Sequence, residues 1–191
     1  TCAFTFDPSV ELVWCSVCAG STIVLGRSGI LTDTDYLREI LVASGTTFFD
    51  TVPSVLATYI SVQADPFPES LRALYVGGEA LPAALAFEMV ASHASVDMWN
   101  LYGPTEATVT SHAFQCRPDS FVINGVPIGC PVPNTTGYAL DTDLHEMLST
   151  YRALILFSFP LPHCDCVPFL DHELFLFRAC GVDLHSFHCL F

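Results

Sequence analysis

At 191 residues, 51% of them apolar and 14% charged, the chain is long enough to bury a core and too apolar to be disordered. Its charge is lopsided, with 20 acids against 6 bases, all arginine, for a net charge of −14. That acidity argues against nucleic acid or an anionic membrane as partner, since both demand basic surface. Any chemistry that needs a lysine must find it outside this chain, which has none.

Strand and helix signals alternate from the start. Cys2 to Phe6 reads as a strand, and Asp7-Pro8-Ser9 has cap and first-turn chemistry for a helix running to about Ala19. Ser21 to Leu25 reads as a second strand and Gly26 to Gly29 as a turn. Thr32-Asp33 then caps an amphipathic helix through Tyr36, Leu37, Ile40 and Leu41. Thr46 to Phe49 is a strand, Pro53 opens a helix to about Val62, and Asp65-Pro66-Phe67-Pro68 is a loop. Leu71 to Val76 is a strand, Gly77-Gly78 a tight turn, Pro82 to Ala91 a helix and Val96 to Leu101 a short buried strand. Serial βα units predict an α/β fold, a doubly wound and mainly parallel sheet with helices on both faces. From Thr108 onward strands and Pro/Gly turns take over, a strand-rich continuation without a clear helix.

Ligand chemistry in such a sheet gathers beyond the carboxyl ends of the strands. Phe6-Asp7, Asp50 and Gly77-Gly78-Glu79 lie at such ends, and the paired glycines let a ligand approach the backbone. The most informative stretch is Asn100-Leu101-Tyr102-Gly103-Pro104-Thr105-Glu106, where a buried strand meets a forced turn. Thr105 offers a hydroxyl and Glu106 a carboxylate, groups suited to a phosphate and its magnesium ion. A plain turn between two strands accounts for the same Gly-Pro pair.

Four segments in this order resemble the adenylate-forming synthetases, specifically the amino-acid adenylation domains of nonribosomal peptide synthetases. Phe6-Asp7-Pro8-Ser9-Val10 is similar to that family's FDxSV segment, and Leu74 to Leu81 to its GGEAL segment. Asn100 to Glu106 matches NxYGPTE, and Ile128 to Thr135 resembles IGxPxxN, followed by a strand-like Tyr138 to Asp141. The resemblance spans residues 1–148, part of the large N-terminal subdomain of an AMP-binding enzyme.

The resemblance implies roles. Thr105 would contact phosphate and Glu106 would hold the magnesium that bridges ATP. Asn100, Tyr102 and Gly103 would shape the nucleotide site, with Gly78, Glu79 and Ala80 along the adenine. Asp7 would pair with the substrate ammonium, a task for which a carboxylate is apt. The side-chain pocket would be lined by Asp7, Pro8, Glu11, Asp50, Tyr75, Gly77, Leu101, Val109 and Thr110. The implied reaction joins an amino-acid carboxylate to ATP, giving an aminoacyl-adenylate and pyrophosphate. The acyl group then passes to the phosphopantetheine thiol of a carrier protein. Two pocket acids, Glu11 and Asp50, are not needed for the ammonium, and buried acids are costly unless paired. They point to a basic amino acid, although Glu11 facing solvent and Asp50 capping a helix would explain both.

Departures limit this picture. The family's phosphate loop, its Tyr-x-Thr-Gly-Asp motif and its catalytic lysine are absent. The chain starts at Thr1 without a secretory signal, and Ala153 to Leu161, its longest apolar stretch, is broken by Ser158 and Pro160. A fragment of a cytoplasmic protein is expected, inactive alone. Cys15-x-x-Cys18 has redox spacing but is expected, like the other scattered cysteines, to supply core thiols. Residues 149–191 form a Cys/His/Phe-rich tail expected to lie outside the family fold and to lack defined packing. Intron read-through or a frameshift would produce such a tail. His163, Cys164, Asp165, Cys166, His172, His185, His188 and Cys189 could ligate zinc, yet their spacing fits no recurrent module. Two other readings remain open, an acyl- or aryl-CoA ligase fragment, disfavoured by Asp7, and a non-catalytic remnant.

Overall fold

The computed structural model describes residues 4–63, 66–119, 125–140, 152–160 and 172–180. Helix α1 spans Pro8–Cys18 and α2 spans Thr34–Ala43. Strand β1 (Phe48–Thr51), helix α3 (Pro53–Val62), strand β2 (Ala73–Gly77), helix α4 (Ala83–Ser92) and strand β3 (Asp97–Tyr102) then form two successive βαβ units. A single 3-10 turn, Thr105–Ala107, leads into β4 (His112–Cys116) and β5 (Cys130–Pro131). The five strands lie in the order β1-β2-β3-β4-β5. Pairing is parallel from β1 to β3 and antiparallel from β3 to β5. The switch falls where helix signals vanish from the sequence, because an antiparallel neighbour needs no crossover helix.

Local chemistry explains the helices. Asp33 caps α2 by accepting from the Tyr36 N–H at 3.0 Å. Pro occupies the first turn of α1 and of α3, where its missing N–H costs nothing. Helix α3 has no side-chain cap at Val52. Glu79 supplies one from the next βα loop, accepting from the Ser54 N–H at 3.0 Å and the Ser54 hydroxyl at 2.9 Å.

The core lies on one face of the sheet. Phe49, Leu74, Val76 and Met98 point to that face and pack with Leu56 and Tyr59 of α3, Leu85, Ala86 and Met89 of α4, and Leu37 and Leu41 of α2. Tyr59 donates its hydroxyl to the Pro66 carbonyl, so its polar end is satisfied inside the core. Helix α1 touches the opposite face through Glu11. Its other side carries exposed Val10, Trp14 and Val17.

Two expected strands are not strands. Phe4–Phe6 is a turn, tied by Ser9 Oγ donating to the Phe4 carbonyl at 2.9 Å, while residues 1–3 lie outside the described residues. Ser21 to Leu25 is irregular, with Ile23, Val24 and Leu25 exposed. A β-prone run takes strand form only with a neighbour for its backbone groups, and none of the described strands flanks it. Cys15 and Cys18 are likewise exposed rather than core thiols, because α1 is covered on one side only. Cys116 is buried, and burial pushes its thiol up to about 12.

A second sheet follows. Strand β6 (Thr136–Leu140) pairs antiparallel with β7 (Arg152–Pro160), and β7 with β8 (His172–Cys180). Residues 152–160 and 172–180 of the tail are thus in strands. His172 begins β8, and the other candidate zinc ligands lie outside the described residues. Among the described residues, no cluster of His, Cys, Asp or Glu could hold a metal, and no helix is long and apolar enough to cross a membrane. Strand β6 meets the first sheet at Gly137, where an added Cβ would lie 2.6 Å from His112 Nε2.

Leu74 is fully buried at the centre of the core. Leu74→Ala is expected to lower unfolding stability by about 2–5 kcal/mol, read as a fall in the urea midpoint. Fully buried His112, 3.1 Å from Ser111 Oγ through Nδ1, has its pKa lowered from 6.5 to about 4 by burial. Between those values the unfolded chain binds a proton that the folded chain does not. The contribution of His112 is therefore complete above pH 6.5 and falls as pH drops toward 4, by up to about 3 kcal/mol. His112→Gln should remove that slope from the difference between the two stability profiles.

Candidate functional site

Register places the candidate residues. Asp50, Tyr75 and Trp99 are lateral neighbours across β1, β2 and β3, and Gly77 neighbours Leu101 one step further on. Strand alternation turns all five to the face opposite the core. Helix α1 joins them there. The Thr110 hydroxyl donates to Glu11 Oε2 at 2.9 Å, which ties the helix to the loop after β3. The Glu11 charge is also felt at both Asp50 and Tyr75. Glu11 is thus bonded to Thr110 and within electrostatic reach of Asp50 and Tyr75.

Its electrostatics favour a cation. Burial raises Asp50 from 3.8 to about 6; the chain's N-terminal ammonium lowers it in part, and the Glu11 carboxylate adds a smaller rise. Burial and the same carboxylate raise the Tyr75 phenol. A positive group beside them would reverse the cost of holding two carboxylates close together out of water. Asp7 stands at the start of α1, half-buried, and its side chain makes no capping bond to the helix. Pro8 follows it in the first turn.

The aromatic wall is larger than the motifs implied. Phe48 meets the Tyr75 ring edge-on at 4.6 Å, and Trp99 meets it at 6.5 Å. Neither was among the candidates, yet alternation from Asp50 back to Phe48, and from Leu101 back to Trp99, would have found both. Gly77 serves packing, since an added Cβ would sit 3.0 Å from the Leu101 carbonyl oxygen.

Several motif residues are engaged inside the protein. Asn100 is buried and donates from Nδ2 to the Pro127 carbonyl at 2.8 Å, holding the segment before β5. Glu79 caps α3, as described above. The Tyr102 carbonyl accepts from the Ser111 N–H at 2.9 Å and from Ser111 Oγ at 3.1 Å, closing the loop. Gly103 could bear no side chain, because a Cβ would lie 2.0 Å from the Val109 carbonyl oxygen. Inside the loop Thr108 (φ 59°) and Val109 (φ 69°) are both left-handed. For β-branched residues such backbone costs about 1–3 kcal/mol each.

The rim is open. Thr105 is exposed in the 3-10 turn, and Gly78 (φ 82°), Glu79 and Ala80 form an exposed edge beyond β2. The backbone of Glu106 lies in the same turn, and its side chain is outside the described residues. Arg72 and Arg117 lie at the other end of the sheet, before β2 and after β4. A cleft of about 500 Å³ lined by Asp35, Arg38, Glu39 and Gln63 lies along α2 and shares no residue with this site.

Residues 1–150 match the family model described as "AMP-binding enzyme". Phosphinothricin tripeptide synthetase PhsB of Streptomyces viridochromogenes is 40% identical over 143 residues, 74% of this chain and 12% of that protein. Isonitrile lipopeptide synthase of Streptomyces coeruleorubidus is 34% identical over 148 residues, 75% of this chain and 10% of that protein. The chain thus spans a small part of the relatives it matches. Among solved structures, PA1221, an NRPS protein containing adenylation and PCP domains, superposes with a TM-score of 0.77 at 21% identity, over 94% of this chain and 39% of that one. The nonribosomal peptide synthetase FmoA3 does so with a TM-score of 0.71 at 25% identity, over 84% of this chain and 18% of that one. By its match to the family model over residues 1–150, the chain belongs to the AMP-binding enzyme family.

Proposed function

We propose that this chain carries the amino-acid side and one nucleotide edge of an amino-acid-activating adenylation domain of a nonribosomal peptide synthetase. The observation that carries the reading is Glu11, bonded to Thr110 after the NxYGPTE motif and within electrostatic reach of Asp50 and Tyr75. The substrate is an amino acid with a basic side chain. Asp7 holds its α-ammonium, while Glu11 and Asp50 receive the distal cation. Phe48, Tyr75 and Trp99 wall the methylene stem, as apolar faces do for long cationic side chains.

Nucleotide and metal lie at the rim. Gly78, Glu79 and Ala80 flank the adenine, Thr105 meets phosphate, and Glu106 holds magnesium. Bound there, magnesium would neutralise the phosphate charge that the described residues at this end of the sheet do not offset. The protein's part is positioning, setting the amino-acid carboxylate in line with the α-phosphate. The synthetase would then pass the acyl group to a carrier-protein thiol, a reading supported by the adenylation and PCP domains of PA1221.

The test is ATP–pyrophosphate exchange by the synthetase that carries this segment, offered lysine, ornithine, phenylalanine and leucine. Ornithine or lysine should be preferred, and preference for leucine or phenylalanine would sink the basic-substrate reading. The 191-residue chain by itself is expected to give no exchange.

Asp50 supplies an independent check. With its pKa raised from 3.8 to about 6, the folded chain holds a proton that the unfolded chain releases. Its contribution to stability is present below pH 3.8 and lost as pH rises through 6. Asp50→Asn should therefore be more stable than the parent at neutral pH, by about 1–2 kcal/mol after allowance for residual exposure. The advantage should vanish below pH 3.8, as paired thermal melts would read. Bound ornithine should shrink it too, by stabilising the ionised Asp50.

A further inference from the structure

The loop from Gly103 to Ser111 holds two consecutive left-handed β-branched residues, Thr108 and Val109. Such backbone persists only where its surroundings over-determine it. Its own bonds are short-range, from the Thr110 N–H to the Thr108 carbonyl at 3.0 Å and from Ser111 to the Tyr102 carbonyl. Two bonds reach further: the Val132 N–H donates to the Ser111 carbonyl at 2.9 Å, and the other joins helix α1. Thr110 Oγ1 donates to Glu11 Oε2 at 2.9 Å across 99 residues of sequence, in part-buried surroundings. Helix α1 is otherwise weakly anchored, with Val10, Trp14 and Val17 exposed, so this bond matters to both partners.

The Glu11 charge also reaches Asp50 and Tyr75. Its carboxylate has two oxygens. Oε2 accepts from Thr110, and a carboxylate can accept further bonds at Oε1 without losing the first. We infer that Glu11 is a positioning residue. Through Thr110 it holds the strained loop, and with it Thr105 and the backbone of Glu106, in register with the acid-lined pocket. A cationic side chain bound between Glu11 and Asp50 then fixes Glu11, and Glu11 fixes the loop. Loading of the amino acid thereby prepares the nucleotide edge. The coupling rests on the substrate reading above, whereas the hold of Glu11 on the loop does not.

Backbone hydrogen exchange on this chain tests the hold directly. Thr110→Val and Glu11→Ala should each speed exchange of the Thr110 and Ser111 amides by about tenfold, the scale of one hydrogen bond to a charged acceptor. The double variant should go no further than either single one. Thr110→Ser restores the hydroxyl and should restore protection, and Glu11→Gln keeps an acceptor and should retain most of it. Unchanged protection in Thr110→Val, or additive effects in the double variant, would overturn the proposal.

In the synthetase, Thr110→Val should raise the KM for ATP several-fold in pyrophosphate exchange, and Thr110→Ser should restore it. Glu11→Gln should erode the preference for a basic substrate, and with the cation no longer held against Glu11 it should also raise the KM for ATP, by less than Thr110→Val does. If basic amino acids are ignored while Thr110→Val still loosens the loop, the substrate reading fails and the positioning role stands. If basic amino acids are preferred and Thr110→Val leaves both loop protection and the KM for ATP unchanged, the positioning role alone fails.

Discussion

Everything at the candidate site depends on the two-residue alternation of three short parallel strands. Phe49, Leu74 and Met98 enter the core from one face, and Asp50, Tyr75 and Trp99 are thereby turned to the other. A one-residue slip would send an acid into the core and a leucine into the pocket. The apolar core therefore does more than hold the fold together. Burial of Leu74 and Val76 against α3 and α4 fixes the register that brings Asp50 within electrostatic reach of Glu11.

The site sets one cost against another. Holding the Asp50 carboxylate largely out of water is unfavourable, and burial accordingly raises its pKa. The left-handed Thr108 and Val109 add backbone strain beside it. The core beneath is well packed, with Leu56, Tyr59, Leu74 and Val76 wholly buried. Such a platform can support a site that is not at its own energetic minimum. A cationic ligand would relieve the electrostatic part, which is how a binding site comes to prefer one charge over a neutral isostere.

Much of this was legible in the residues themselves. The caps and prolines marked α1, α2 and α3, and the apolar runs marked β2 and β3, because in each case local chemistry and tertiary packing agree. Phe4 to Phe6 and Ser21 to Leu25 read as strands but are not, for the opposite reason. Their β-prone composition is real, but a strand is a pairing, and composition does not name a partner. Trp99 and Phe48 belong to no motif, and only the alternation that carries them along their strands points to the pocket. The bond from Thr110 to Glu11 joins residues 99 positions apart, and no local pattern could announce it.

The motif residues divide on inspection into those that face outward and those that hold the others in place. Asn100 fastens the Pro127 segment, Glu79 fastens α3, Gly103 admits the Val109 carbonyl, and Gly77 admits that of Leu101. Thr105, Gly78 and Ala80 are left exposed at the rim. A signature such as NxYGPTE is thus mostly a specification for a loop of unusual geometry. Its glycine and asparagine build the turn, and its strain is carried by the two residues that follow Ala107. That division explains why the motif identifies the family more securely than it identifies a substrate. In the substrate reading proposed above, the residues that address the substrate are Glu11 and Asp50, and those belong to a different helix and a different strand.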